Sequence, residues 1–197
     1  MKTHGEHGRI ALLASYEKDE HVLRLGKLLK ESGWSILASA GTAKYLNENS
    51  IAARDVAEIV GKPILGHRVV TLSRELHAAL LATDADQAEL DKLGVPRIDL
   101  VYVTLYPLEK TIASGASPEE VIEKTDIGGP TLLRTAGKGR RLVLSDPSQI
   151  DEIAPYLKNG GEEKEKIITK LVAAAERRVA DYVDASASYW ESRVSKQ

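Results

Sequence analysis

Two short apolar runs with no polar alternation constrain this chain more than anything else in it. Arg9 to Ser15 reads Arg-Ile-Ala-Leu-Leu-Ala-Ser, and Asp99 to Thr104 reads Asp-Leu-Val-Tyr-Val-Thr. A strand with one solvated face alternates apolar and polar residues. Uninterrupted runs of this length instead fit strands buried on both faces, as in a parallel sheet covered by helices. Trp34 to Ala38 and Arg141 to Ser145 have the same character.

Helical patterns separate these runs. Val22, Leu23, Leu25, Leu28 and Leu29 form an apolar stripe that Gly33 closes, and a helix follows from about Ala43 to Asn49. Arg54 to Leu65 is mixed, with a turn at Gly61-Lys62-Pro63. Further helices are predicted over Arg74 to Ala82, Asp86 to Leu93 and Pro118 to Lys124, the last capped by Ser117. Thr131 to Ala136 is entered through Gly128-Gly129-Pro130, and Gly160-Gly161 opens a long final helix. Strands alternating with helices predict an α/β fold: a three-layer Rossmann-like parallel sheet flanked by helices, with a long C-terminal helix.

The 197 residues suit one domain spanning 1–197, with no repeat or linker. A net charge of −2 gives no basic footprint for nucleic acid, and no apolar run approaches a membrane span. Cysteine is absent, and the polar Met1 to Gly8 has no signal-peptide core, so a cytoplasmic protein is expected. Ile168, Val172, Ala175, Val179, Tyr182, Ser186 and Trp190 share one face of the final helix, which packs on the domain or on a second copy; a homodimer is expected.

Two segments have the residue types of a ligand site. Ser39-Ala40-Gly41-Thr42 lies between a strand and a helix, where free amides and hydroxyls suit a phosphate; an ordinary capped turn is the alternative. Asp126-Ile127-Gly128-Gly129-Pro130-Thr131 sets a carboxylate beside a glycine-rich helix start. Such a carboxylate can take a proton while the amides hold developing negative charge; a capped loop is the bland reading. Lys18 and Arg68 are basic residues near strand ends that can pair with a phosphate, and Tyr106 follows the central strand. His67 and His77 lack the spacing of a helical metal-ligand pair, so no metal is expected.

Ser39-Ala-Gly-Thr-Ala-Lys44, Arg68-Val-Val-Thr-Leu72, Leu105-Tyr-Pro107, Asp126-Ile-Gly-Gly-Pro-Thr131 and Lys138 follow one another as in a known family. From about Arg9 to Trp190 the chain resembles the IMP cyclohydrolase domain of bifunctional AICAR transformylase/IMP cyclohydrolase, which has a methylglyoxal-synthase-like fold. The transformylase half is not included in this sequence. The resemblance implies closure of formyl-AICAR ribonucleotide (FAICAR) to IMP with loss of water, in purine biosynthesis, without metal or redox cofactor. It implies Lys138, Asp126 and Tyr106 as catalytic residues. It implies Lys18, Ser39, Gly41 and Thr42 at the 5′-phosphate, Arg68, Thr71 and Thr104 along the ligand, and the amides of Ile127, Gly128 and Gly129 at developing charge. A separate AICAR transformylase is an expected partner.

The chain departs from the family pattern at several positions. A family lysine is Val70 here, family serines of the first loop are Ala14 and Tyr16, a family asparagine is Thr104, and a family glycine is Ala40. Loss of a general acid or base costs about 10²–10⁴-fold. Besides the cyclohydrolase, the sequence therefore leaves open a catalytically weakened nucleotide-binding or sensing protein of the same fold. Leu105-Tyr-Pro107 and the 126–131 loop argue against a methylglyoxal synthase.

Overall fold

The computed structural model describes residues 8–66 and 68–194. Five parallel strands, β1 (Ile10–Ser15), β2 (Ser35–Ala38), β3 (Arg54–Asp55), β4 (Leu100–Thr104) and β5 (Leu142–Leu144), make one sheet in the order β3-β2-β1-β4-β5. Leu12 lies opposite Leu37 on one side and Val101 on the other. Ala11, Leu12, Leu13, Leu100, Val101 and Tyr102 are fully buried, as strands covered on both faces require.

The helices are α1 (Glu20–Glu31), α2 (Ala40–Glu48), α3 (Ala57–Val60), α4 (Arg74–Leu81), α5 (Gln87–Leu93), α6 (Leu108–Ala113), α7 (Pro118–Glu123), α8 (Gly128–Lys138), α9 (Gln149–Asn159) and α10 (Lys164–Val194). The Asp19 carboxylate caps α1 by accepting from the His21 and Val22 amides, and Ser117 with Glu120 forms a reciprocal box on α7. Helix α1 packs on α2 and α9, while α8 packs on α4 and α10, and α10 also covers α6 and β5. The sheet is thus flanked by helices, with α8 and the 31-residue α10 beside β4 and β5.

Several boundaries differ from those predicted. Helix α8 begins at Gly128 rather than Thr131, which puts both glycines inside its first turn. Helix α2 begins at Ala40, three residues before the predicted start. Gly160 and Gly161 have φ of 65° and 142°, values a right-handed helix does not accept, so α10 starts at Lys164. Helices α6 and α9 were not predicted.

Among the described residues, no helix is long and apolar enough to cross a membrane, and no group of three or more His, Asp or Glu side chains is placed to hold a metal. His67 and residues 1–7 lie outside the described residues. The ring of His77 hydrogen-bonds Thr135 Oγ1 at 2.9 Å, and burial lowers its pKa.

Candidate active site

The strand order reverses between β1 and β4: the chain builds outward through β2 and β3, then returns to pair β4 on the other side of β1. Loops leaving the carboxyl ends of such strands diverge and open a crevice, the usual ligand position in an open α/β sheet. At the ends of β1 and β4 here lies a hydroxyl pair. Ser15 Oγ and Thr104 Oγ1 are 2.8 Å apart, and the Tyr16 amide donates to Thr104 Oγ1 at 2.8 Å.

On one side stands the Ser39–Thr42 turn. Ser39 Oγ donates to Thr42 Oγ1 at 3.1 Å, and Thr42, fully buried, donates to the Ser15 carbonyl at 3.3 Å. Thr42 therefore ties α2 to the end of β1. The Ser39 side chain makes no capping bond to α2, which leaves the first amides of that helix for another acceptor. Lys18 lies across them: a Cβ at Gly41 would sit 3.3 Å from Lys18 Cε and 3.8 Å from its Nζ. The ammonium donates to the carbonyls of Ser15 and Tyr16, and desolvation lowers its pKa against the opposing effect of Asp19. A helix N-terminus with a lysine across it suits a phosphate.

On the other side stands Asp126. Its carboxylate accepts from the Gly129 amide at 2.8 Å, and the Tyr106 and Gly128 amides also favour its charged form. Burial outweighs these bonds and raises the pKa above the usual carboxylate value. The first amides of α8 thus hold the Asp126 side chain itself, the anion nearest a helix N-terminus. Both glycines are required by contact. A Cβ at Gly129 would meet Leu105 Cδ2 at 2.6 Å and collide with the Asp126 carboxylate, and one at Gly128 would sit 2.6 Å from Thr71 Oγ1. Thr71 is thereby placed against the cradle, while the Ile127 side chain is 61% exposed.

Between the two halves the rings of Tyr16 and Tyr106 meet at 4.9 Å with a 51° tilt. Lys124 Nζ lies 5.5 Å from the Tyr16 centroid and 6.0 Å from that of Tyr106, and donates to Tyr16 Oη at 3.4 Å. Burial and the Asp126 charge raise the Tyr106 pKa, while Lys124 opposes them. Behind this group, Tyr182 of α10 accepts the Asp126 amide at 2.7 Å and donates to the Lys124 carbonyl at 3.0 Å. Sequence reasoning gave Tyr16, Lys124 and Tyr182 no role in the site.

Other candidates sit farther out. Arg68 is exposed and its Nε donates to the Leu65 carbonyl of its own loop at 3.0 Å. Val70 is partly buried and packs on the core, so that position brings no charge. Lys138 is exposed at the last turn of α8, roughly 15 Å along the helix axis from Gly128 at the usual rise per residue. It shares with Asp126 a groove of about 880 Å³ between α8 and α10, also lined by Ile127, Arg134, Val183 and Trp190.

A family model described as the MGS-like domain matches residues 21–131. The chain belongs to the MGS-like domain family. This MGS-like domain is 41% identical over 156 residues to the bifunctional purine biosynthesis protein PurH of Aquifex aeolicus, covering 76% of the chain and 31% of that protein. It is 37% identical to PurH of Persephonella marina, covering 89% of the chain and 35% of that protein. The MGS-like domain thus spans about a third of the length of these curated relatives. A crystal structure of ForH matches with a TM-score of 0.75 and 31% identity, covering 94% of the chain and all of the ForH chain.

Proposed function

We propose that the chain acts in purine biosynthesis as an IMP cyclohydrolase, closing the pyrimidine ring of FAICAR to give IMP and water. The observation that carries this is the distribution of groups around the switch point: a helix start without a side-chain cap beside Lys18 on one side, and Asp126 held beside Tyr106 on the other. That is the polarity of a ribonucleotide, phosphate at one end and reacting base at the other. The relatives named PurH, which are bifunctional purine biosynthesis proteins, support the same reading.

In this account the phosphate lies on the first amides of α2 and against Lys18, with Ser39, Gly41 and Thr42 shaping the turn. The ring system reaches across Thr104 and Thr71 toward Asp126. The carboxamide nitrogen gives one proton to Asp126 and attacks the formyl carbon. A C–N bond forms, and the formyl oxygen takes that proton. The C–O bond then breaks as Tyr106 donates a second proton, which the formamido nitrogen returns to it; the oxygen leaves as water. Burial suits Asp126 to the first step, because a carboxyl of raised pKa is a stronger base than a solvated one. Holding both reacting groups of one molecule in contact supplies much of the acceleration. The distance of Lys138 from the cradle within one chain assigns it no proton in these steps.

A nucleotide-binding protein without turnover is the second reading, favoured by the core packing of Val70. Mixing the purified protein with FAICAR and following IMP by ultraviolet absorbance separates the two. The cyclohydrolase gives turnover that Asp126→Asn removes; the binding protein gives saturable binding of IMP and no turnover.

A further inference from the structure

We propose that Lys124 is a positioning residue of this site, held over Tyr16 and Tyr106 so that its ammonium sets how readily Tyr106 gives up a proton to a bound ligand. The proposal deepens the cyclohydrolase reading and rests on it for the ligand, but the geometry stands without it. Contacts to both its side chain and its backbone place Lys124. The ammonium lies within about 6 Å of two ring centroids, the range in which a cation is attracted to an aromatic face. It donates to the Tyr16 hydroxyl. Its backbone is pinned through its carbonyl by Tyr182, which also takes the Asp126 amide, so Lys124 and Asp126 are located by one hydroxyl.

The charges facing Tyr106 come from both sides. Asp126, from the start of α8, and Glu123, from the end of α7, disfavour its ionised form, as does the adjoining Tyr16 phenol; Lys124 favours it. Without the lysine, Tyr106 would face two carboxylates in a partly buried setting and would hold its proton more tightly. Tyr16 contributes the second ring and the hydroxyl that keep the ammonium over Tyr106 rather than in solvent. The charge that Val70 does not supply thus enters from the 124–126 loop.

The test compares wild type with Lys124→Gln, Lys124→Met and Lys124→Arg, with Tyr106→Phe to isolate the Tyr106 signal. Ultraviolet difference titration of tyrosine ionisation should show Tyr106 titrating at higher pH in K124Q and near its wild-type position in K124R. With FAICAR, K124Q should lower kcat about 3- to 30-fold, the effect a cation–ring interaction of this kind commands, with KM little changed and K124R restoring most of the loss. If wild type shows no turnover, the cyclohydrolase reading fails while the titration still decides the role of Lys124. A Tyr106 titration unmoved in folded K124Q overturns the proposal. Should K124Q not fold, a Tyr106 titration unmoved in Lys124→Met, which keeps the length of the side chain without its charge, overturns it.

Discussion

The Tyr182 hydroxyl accepts the Asp126 amide at 2.7 Å, so the long C-terminal helix is hydrogen-bonded to the loop that presents the carboxylate. The same hydroxyl donates to the Lys124 carbonyl at 3.0 Å, which makes a fully buried phenol the clamp on both sides of Thr125. Burial raises its pKa to about 12, so it stays a neutral donor across the working pH range.

Tyr182→Phe removes both bonds and leaves a partly buried amide without its acceptor. The cost of such a group is about 1–3 kcal/mol. Urea unfolding should show a loss in that range, and FAICAR turnover should fall with it because the loop carrying Asp126 and Lys124 loosens. Equal stability of Y182F and wild type would show that the clamp is idle.

Asp126→Asn should abolish most turnover, by about 10²–10⁴-fold, the usual contribution of a positioned general base. Its effect on stability depends on pH. The folded-state pKa of Asp126 lies above its unfolded value of 3.8, so the group favours the fold at low pH and that contribution is lost as pH rises through the folded pKa. At pH 7 the ionised buried carboxylate is therefore less favourable to the fold than its protonated form, and wild type should lose stability relative to D126N as pH rises through the folded pKa. The acid limb of kcat should likewise lie above pH 3.8, since the base must be ionised. A Tm difference between D126N and wild type that does not change with pH would contradict this.

Gly128→Ala places a methyl 2.6 Å from Thr71 Oγ1, an overlap that costs about 1–3 kcal/mol unless the threonine yields. Removing that oxygen should relieve it. Thermal melts of G128A, T71A and the double variant should give a double variant more stable than the sum of the single losses. Gly129→Ala meets the Asp126 carboxylate and Leu105 at once and has no such rescue.

Much of the fold could be read from the sequence because its strands are buried on both faces, and such runs leave little ambiguity once a cap such as Ser117 falls between them. Helix α9 escaped because Pro155 lies inside it, and an internal proline argues against a helix. The six-residue α6 follows Pro107 with no capping side chain to mark it. In the site, Lys18, Ser39, Gly41, Thr42, Thr104 and the 126–129 turn carry local signals, glycines and hydroxyls at strand ends and helix starts. Tyr16, Lys124 and Tyr182 carry none. Tyr182 lies 56 residues from Asp126, and its place on an apolar helix stripe reads as core until the hydroxyl is seen to reach the loop. Lys138 is placed with Asp126 by motif order; the rise of α8 carries its backbone to the far end of the helix, while the residue still lines the same groove as Asp126.

The most direct test of how the site works is a crystal structure of the protein with IMP bound. The phosphate should lie on the first amides of α2 beside Lys18 and Gly41, with the base between Tyr106 and Asp126. A base seated instead in the α8–α10 groove against Trp190 and Lys138 would contradict the assignment of the chemistry to the Asp126 cradle.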